Sequence, residues 1–328
     1  MARHRKEPEK RPALGYTLYF GAAVLWALNG TVAKVILTSV GDPLRVSQFR
    51  GTATAAVLIV AVLLTRIRRF AIRPRELVLL AAYGIIGVAW CQWFYFESIN
   101  LIPITISLLI EFMAPIFVVL FVRFVWKQPV RNTVWLGLFL ATTGLAIVQQ
   151  VWLGVTLNIR GIEFALGSMT CLIVMYLLAD KASRNRDPIS LLMWAFTFSA
   201  LFFAVMRPWS SFPWEALQGQ VQPFDNRPWT VPIGYLFAYM VVGGTLMPYI
   251  LVINSVRHIG GAGASIMGLT EPPVAAGIAW IVLGSSQALN AIQMIGGLVI
   301  LAGILIAERA RGGAPRKLIV NSEVAEAF

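Results

Sequence analysis

Histidine and cysteine are nearly missing from this sequence. Two of each stand among 328 residues, too few and too scattered for clustered metal ligands or a disulfide framework. His4 belongs to the N-terminal tail and His258 to a short loop. Cys91 and Cys171 fall inside apolar runs and read as small buried residues. No glycine-rich loop ends in the Lys-Ser/Thr pair that cradles a nucleotide phosphate. No serine sits in a nucleophile elbow. These absences argue against an enzyme and against resident metal or organic cofactors. Charge is also scarce. Asp, Glu, Lys and Arg make up 13% of the chain, where a soluble domain carries roughly a quarter. The strict alternation of a membrane barrel is absent too.

What fills the chain instead is apolar: 58% of residues are hydrophobic and the mean hydropathy is +0.74. These residues come in long runs, and a membrane crossing needs roughly 20 of them. Ten segments qualify: 15–38, 46–65, 76–96, 103–125, 132–150, 160–180, 188–206, 231–256, 262–283 and 289–307. Backbone polar groups cannot go unpaired in lipid, so each is expected to be helical. The fold class expected is an all-α integral membrane protein.

The net charge of +12 follows topology. With both termini placed in the cytoplasm, 21 of the 27 Lys and Arg fall on that side and four on the other, while Lys34 and Arg50 fall in or at the edge of spans. That is the positive-inside bias. It favours an even number of spans, a multi-pass protein of a plasma membrane, and no nucleic-acid partner. The basic tails can touch membrane lipid. The first apolar run, with "WALNGTVAKVIL", lacks a signal-peptide cleavage site and is expected to be a retained span.

Two stretches place a glutamate before a proline within an apolar run: "SLLIEFMAP" (107–115) and "SIMGLTEPP" (265–273). Setting Ser107 on Ser265 and Pro115 on Pro273 gives an offset of 158. The two spans concerned are five apart and so run in opposite directions. The expectation is two inverted five-helix repeats, 15–150 and 160–308, the layout of many secondary transporters. They are flanked by a basic tail (1–14), an outer loop (207–231) and a small polar tail (309–328), expected to be disordered.

Charges inside spans cost roughly 2.5–3.5 kcal/mol each, which makes them functional candidates. Glu111 and Glu271 are the deepest acids. Ser107 lies one helical turn before Glu111. Pro115 deprives the Glu111 carbonyl of its helical donor, leaving an acceptor pair for an ammonium or a proton. Glu271 precedes Pro272 and Pro273, where a helix is expected to restart, so it is equally explained as a helix-start carboxylate. Lys34 either snorkels or pairs with an acid, and Arg50 either meets outer headgroups or serves the interior. Asn29, mid-span, would be wasted on lipid. Tyr83, Gly87, Trp90 and Phe94 form a helical stripe, with Trp93 beside it, that fits an aromatic pocket or plain packing. Pro248 bends the eighth span beside Tyr249, and Thr270 neighbours Glu271.

These residues resemble a known family. "GAGASIMGLTEPPVAAGIAWIVLGSSQALNAIQMIGGLVILAGILIA" is similar to the closing half-repeat of the EamA family of drug/metabolite transporters, and "LLIEFMAPIFVVLF" is the parallel block of the first half. Glu111-Phe-x-x-Pro115, with Thr245 and Pro248-Tyr249, looks like the threonine/homoserine exporter branch. The chain departs from the family where Lys127-Gln128 and Gly284-Ser285 replace the usual Gly-Glu. The resemblance implies ten helices, two inverted halves, a central solute site and alternating access, and it is compatible with proton coupling. The expected function is secondary export of a small metabolite, an amino acid or related amphiphile. A lipid or lipid-linked sugar flippase and a non-transporting receptor or scaffold are the alternatives. A homo-oligomer stays open.

Overall fold

A computed structural model describes residues 11–65, 70–72, 74–148, 150, 158–222, 229–283 and 291–312. Most of the two tails, several loop residues and Gly284-Ser285 lie outside the described residues, as does the side chain of Lys34.

Helices α1 (Pro12–Val40) and α2 (Pro43–Thr65) open the chain. Gly41, at φ 70°, ends α1 and returns its N–H to the Leu37 carbonyl, a left-handed stop that glycine makes without strain. Helices α3 (Pro74–Ala82) and α4 (Cys91–Leu101) are continuous through a π-helical stretch over Tyr83–Trp90. Helices α5 (Ile104–Glu111) and α6 (Ala114–Phe124) flank a break at 112–113. Helix α7 is Asn132–Val148. Helices α8 (Ile159–Asn185) and α9 (Pro188–Met206) begin on the side-chain oxygens of Asn158 and Asp187, which accept backbone N–H groups of the first turn.

The second π stretch, Val242–Leu246, joins α10 (Ile233–Val241) to α11 (Met247–Gly268). Inside α11, Gly260 (φ 77°, ψ 167°) leaves helical geometry. After a break at 269–270 come α12 (Glu271–Leu283) and α13 (Ala291–Gly312). Lys127 has φ 51°, a region glycine occupies freely.

Among the described residues, eight helical stretches are long and apolar enough to cross a membrane, and Asn132–Val148 adds a shorter one. Two of the ten expected spans are not among them. Helix α7 is 17 residues long, and the expected span 262–283 is broken at 269–270 into the end of α11 and the 13-residue α12.

Packing joins elements distant in sequence: α1 with α11, α2 with α9, α4 with α8, and α7 with α13. The last pair brings backbone against backbone at four glycines. A Cβ added at Gly303 would lie 2.5 Å from the Ala141 nitrogen and the Gly137 carbonyl oxygen, and one added at Gly144 would lie 2.7 Å from the Gly296 carbonyl oxygen. Four glycines at reciprocal positions let two backbones touch, the way small residues join helices in lipid.

The segment after α9 is fastened to the start of α2. Arg45, 3% exposed, donates to the Pro208 carbonyl at 3.1 Å, to the Ser211 carbonyl at 3.1 Å and to Gln48 Oε1 at 2.6 Å. Phe212 packs among Phe49, Trp209 and Trp214. A 3-10 turn, Trp214–Gln218, follows Pro213, and strands β1 (Gln220–Val221) and β2 (Val231–Pro232) pair antiparallel beneath it.

Candidate functional site

The helix breaks bring the chemistry together. Pro115 cannot donate to the Glu111 carbonyl, and α5 stops at Glu111. Pro272 and Pro273 stand in the first turn of α12, which opens on Glu271. The breaks therefore differ by 157 residues, one fewer than the offset of the two sequence motifs. Glu111 closes one half-helix and Glu271 opens the other. The two acids are not equivalent, although both line one cavity of about 120 Å³.

Asn29, Arg50 and Tyr249 line the same cavity. Arg50 is the largest departure from expectation. It is only 6% exposed, too buried for a headgroup contact. Its Nε donates to Thr245 Oγ1 at 2.5 Å and its Nη2 to the Gly244 carbonyl at 2.8 Å. The second partner has a sequence cause. Residue 248 is proline, so Gly244 receives no N–H from the residue four positions on, and the guanidinium takes that place. Thr245 in turn donates to the Met240 carbonyl at 2.7 Å, five residues back across the π stretch. Arg50 also sits 5.8 Å from the centre of the Phe96 ring, within cation–π range.

Glu111 accepts a hydrogen bond from Ser168 Oγ at 2.8 Å, and that hydroxyl also lies 3.1 Å from the Cys91 carbonyl oxygen. Gln92 Nε2 reaches the Tyr249 hydroxyl at 3.3 Å. Trp26 meets Tyr249 edge-on at 5.7 Å and Tyr19 at 6.4 Å. The hydroxyls of Tyr19 and Tyr176 are hydrogen-bonded to each other, with Gly268 beside both. The Asn29 Oδ1 is buried and has no partner among the described residues. Leu108, Phe112, Leu172 and Met175 supply an apolar wall.

The other sequence candidates lie elsewhere. Trp90 is 36% exposed and packs on Phe94 and Phe202. The cause is the π stretch. Its wider turn shifts the phase of everything after Tyr83, so the stripe of period 3.6 divides, and Cys91, Gln92 and Tyr95 reach the cavity instead. Trp93 donates to Glu97 at 3.0 Å. Ser107 is fully buried, its hydroxyl unpartnered among the described residues, and it does not line the cavity. Thr270 spends its hydroxyl on the Met267 carbonyl at 2.7 Å. Pro115 and Pro248 stand in the first turns of α6 and α11.

Tyr19, Trp26, Gln92, Ser168 and Tyr176 were not singled out from sequence. For α1 a signal existed: Tyr19, Trp26 and Ala33 are seven residues apart and so share a face, with Asn29 and Gly30 close to it. No group of three or more metal-ligating side chains occurs among the described residues. Chemically, the cavity offers two carboxylates, one guanidinium, an amide and a ring of aromatic side chains to a small polar organic molecule.

Comparison with known proteins agrees in kind. The profile of the EamA-like transporter family matches residues 13–149 and 159–308. An uncharacterized transporter of Archaeoglobus fulgidus is 26% identical over 282 residues, covering 86% of this chain and 93% of that protein. A solved crystal structure superposes with a TM-score of 0.63 at 16% identity, covering 92% of this chain and 98% of that one; the likeness is one of fold.

Proposed function

The chain belongs to the EamA-like transporter family, and from that premise we propose that the cavity is the solute site of a secondary transporter. The solute is a small amphiphile, an amino acid or a related metabolite. Export is the direction proposed, by alternating access, with a proton as the coupling ion. The observation that carries this reading is one cavity lined by Arg50, Glu111, Glu271 and Asn29. Buried charges without ionic partners are costly, and a zwitterionic or amphiphilic guest offsets that cost.

Ten crossings in two inverted halves belong to the same proposal. The two π stretches, Tyr83–Trp90 and Val242–Leu246, and the two helix breaks support it. So does the exchange of partners: the first π stretch packs on α8 and α9, and the second on α1 and α2. Cysteines placed at 126–131 and 181–187 are expected to label from the cytoplasm, and one at 212–222 from outside. Cytoplasmic labelling of 212–222 would overturn ten crossings. For the activity, proteoliposomes loaded with each of the twenty L-amino acids should show protein-dependent efflux of at least one. Vesicles that release none of these or any related amphiphile faster than protein-free controls would make the protein a scaffold.

A further inference from the structure

We propose that Arg50 determines specificity in this cavity: its guanidinium receives the carboxylate of a zwitterionic solute, whose ammonium is taken up on the side of Glu111 and Glu271. This rests on the reading of the cavity as the solute site and adds a polarity to it.

The argument starts from what holds Arg50. Its partners are a hydroxyl, a backbone carbonyl and an aromatic ring. None carries a formal charge. Ion pairs are formed elsewhere, as by Arg186 with Glu76 at 2.8 Å and Arg207 with Asp42. A buried guanidinium without a carboxylate is unusual, because buried charges are ordinarily paired. Nor are all its donors used. Guanidinium carries five N–H groups in a rigid fork, and Nη1 makes no hydrogen bond among the described residues. The group is thus fixed in orientation by two bonds, has a free donor, and lines a cavity. Those are the requirements for a carboxylate receptor.

The opposite pole is equally incomplete. Glu111 accepts one hydrogen bond among the described residues, from a neutral hydroxyl. A carboxylate has room for more donors, and an ammonium supplies three. Neither Glu111 nor Glu271 is in ion-pair contact with Arg50. The negative and positive poles therefore stay separate, and a single guest must bring both complements. A simple amine would leave Arg50 uncompensated. A simple carboxylic acid would leave the acids so. An α-amino acid carries both groups on one carbon, and the wall of Leu108, Phe112, Leu172 and Met175 faces its side chain.

The test uses wild-type protein first, so that it does not depend on a variant folding. Purified full-length protein is screened by thermal shift against the twenty L-amino acids, since a ligand of the native state raises apparent stability. The best binder is then compared with its carboxamide, its decarboxylated amine and its deaminated acid. Each of the three is expected to bind at least tenfold more weakly than the amino acid. Arg50→Lys, which keeps the charge but not the fork, should bind the amino acid more weakly while the difference between acid and amide narrows. If the amide binds as tightly as the acid, the assignment to Arg50 is wrong and solute transport is untouched. No binder among the twenty overturns the assignment as well. Efflux of some other amphiphile would then leave the transport reading standing.

Discussion

Glu111→Gln is expected to leave the fold intact and to lower solute flux roughly ten- to a hundredfold, the value of a hydrogen bond to a charged group of about 1.5–3 kcal/mol. The amide fills the same volume and still accepts from Ser168, which holds it at 2.8 Å. It cannot ionise, so it can neither hold an ammonium electrostatically nor release a proton. The pH dependence of flux in proteoliposomes should therefore flatten along with the rate. Two serines serve as references. Ser168→Ala removes one hydrogen bond from Glu111, worth about 1 kcal/mol, and should cost roughly fivefold. Ser107→Ala removes a buried hydroxyl that has no partner among the described residues, and should cost little. Normal flux with an unchanged pH profile in Glu111→Gln would reduce the glutamate to packing.

The second large effect lies far from the cavity. Gly303→Ala is expected to destabilise the protein by about 1–3 kcal/mol, the usual range for overpacking, and Gly303→Leu to abolish recovery of folded protein. The added Cβ would meet backbone atoms of α7 at 2.5 Å, and backbone cannot rotate away as a side chain can. The control is on the same helix. A Cβ at Gly297 has only Pro273 Cβ near it, at 3.9 Å, so Gly297→Ala should behave as wild type. Thermal midpoint and the monodisperse fraction on size exclusion report both. Equal midpoints for the two alanine variants would show that α7 and α13 are not in backbone contact.

What could be read from sequence was what depends on solvent and on local chain chemistry. Long apolar runs, the charge bias and the prolines at 115, 248, 272 and 273 act within a few residues of themselves. They gave the helical membrane class, the break after Glu111 and the restart at Glu271. Glu111, Glu271, Asn29 and Tyr249, which line one cavity, stood out because a polar group in an apolar run is conspicuous. Trp90 does not line this cavity, and a π stretch has no compositional signature that would have told so. It changes helical phase, and every residue after it turns with it. Ser107 shares a helix face with Glu111 in ideal geometry, yet the helix ends at Glu111 and the face does not continue. Arg50 looked like an edge-of-span charge because its partners, Gly244 and Thr245, are nearly two hundred residues away. Long-range pairing of that kind is invisible in a local reading.

The separation of Arg50 from Thr245, 195 positions, has a consequence for biogenesis. A ribosome adds about 5–20 residues per second, so roughly 10–40 s pass between synthesis of α2 and synthesis of the carbonyl and hydroxyl that hold its guanidinium. Over that interval the nascent second helix carries an arginine with neither partner, at a cost of roughly 2.5–3.5 kcal/mol if it is already in the bilayer. The early helices must therefore wait for the later ones, beside the translocon or with the arginine drawn toward the surface. Chains released before Gly244 and Thr245 are made will be left with a membrane segment that is poorly inserted and open to quality-control proteolysis.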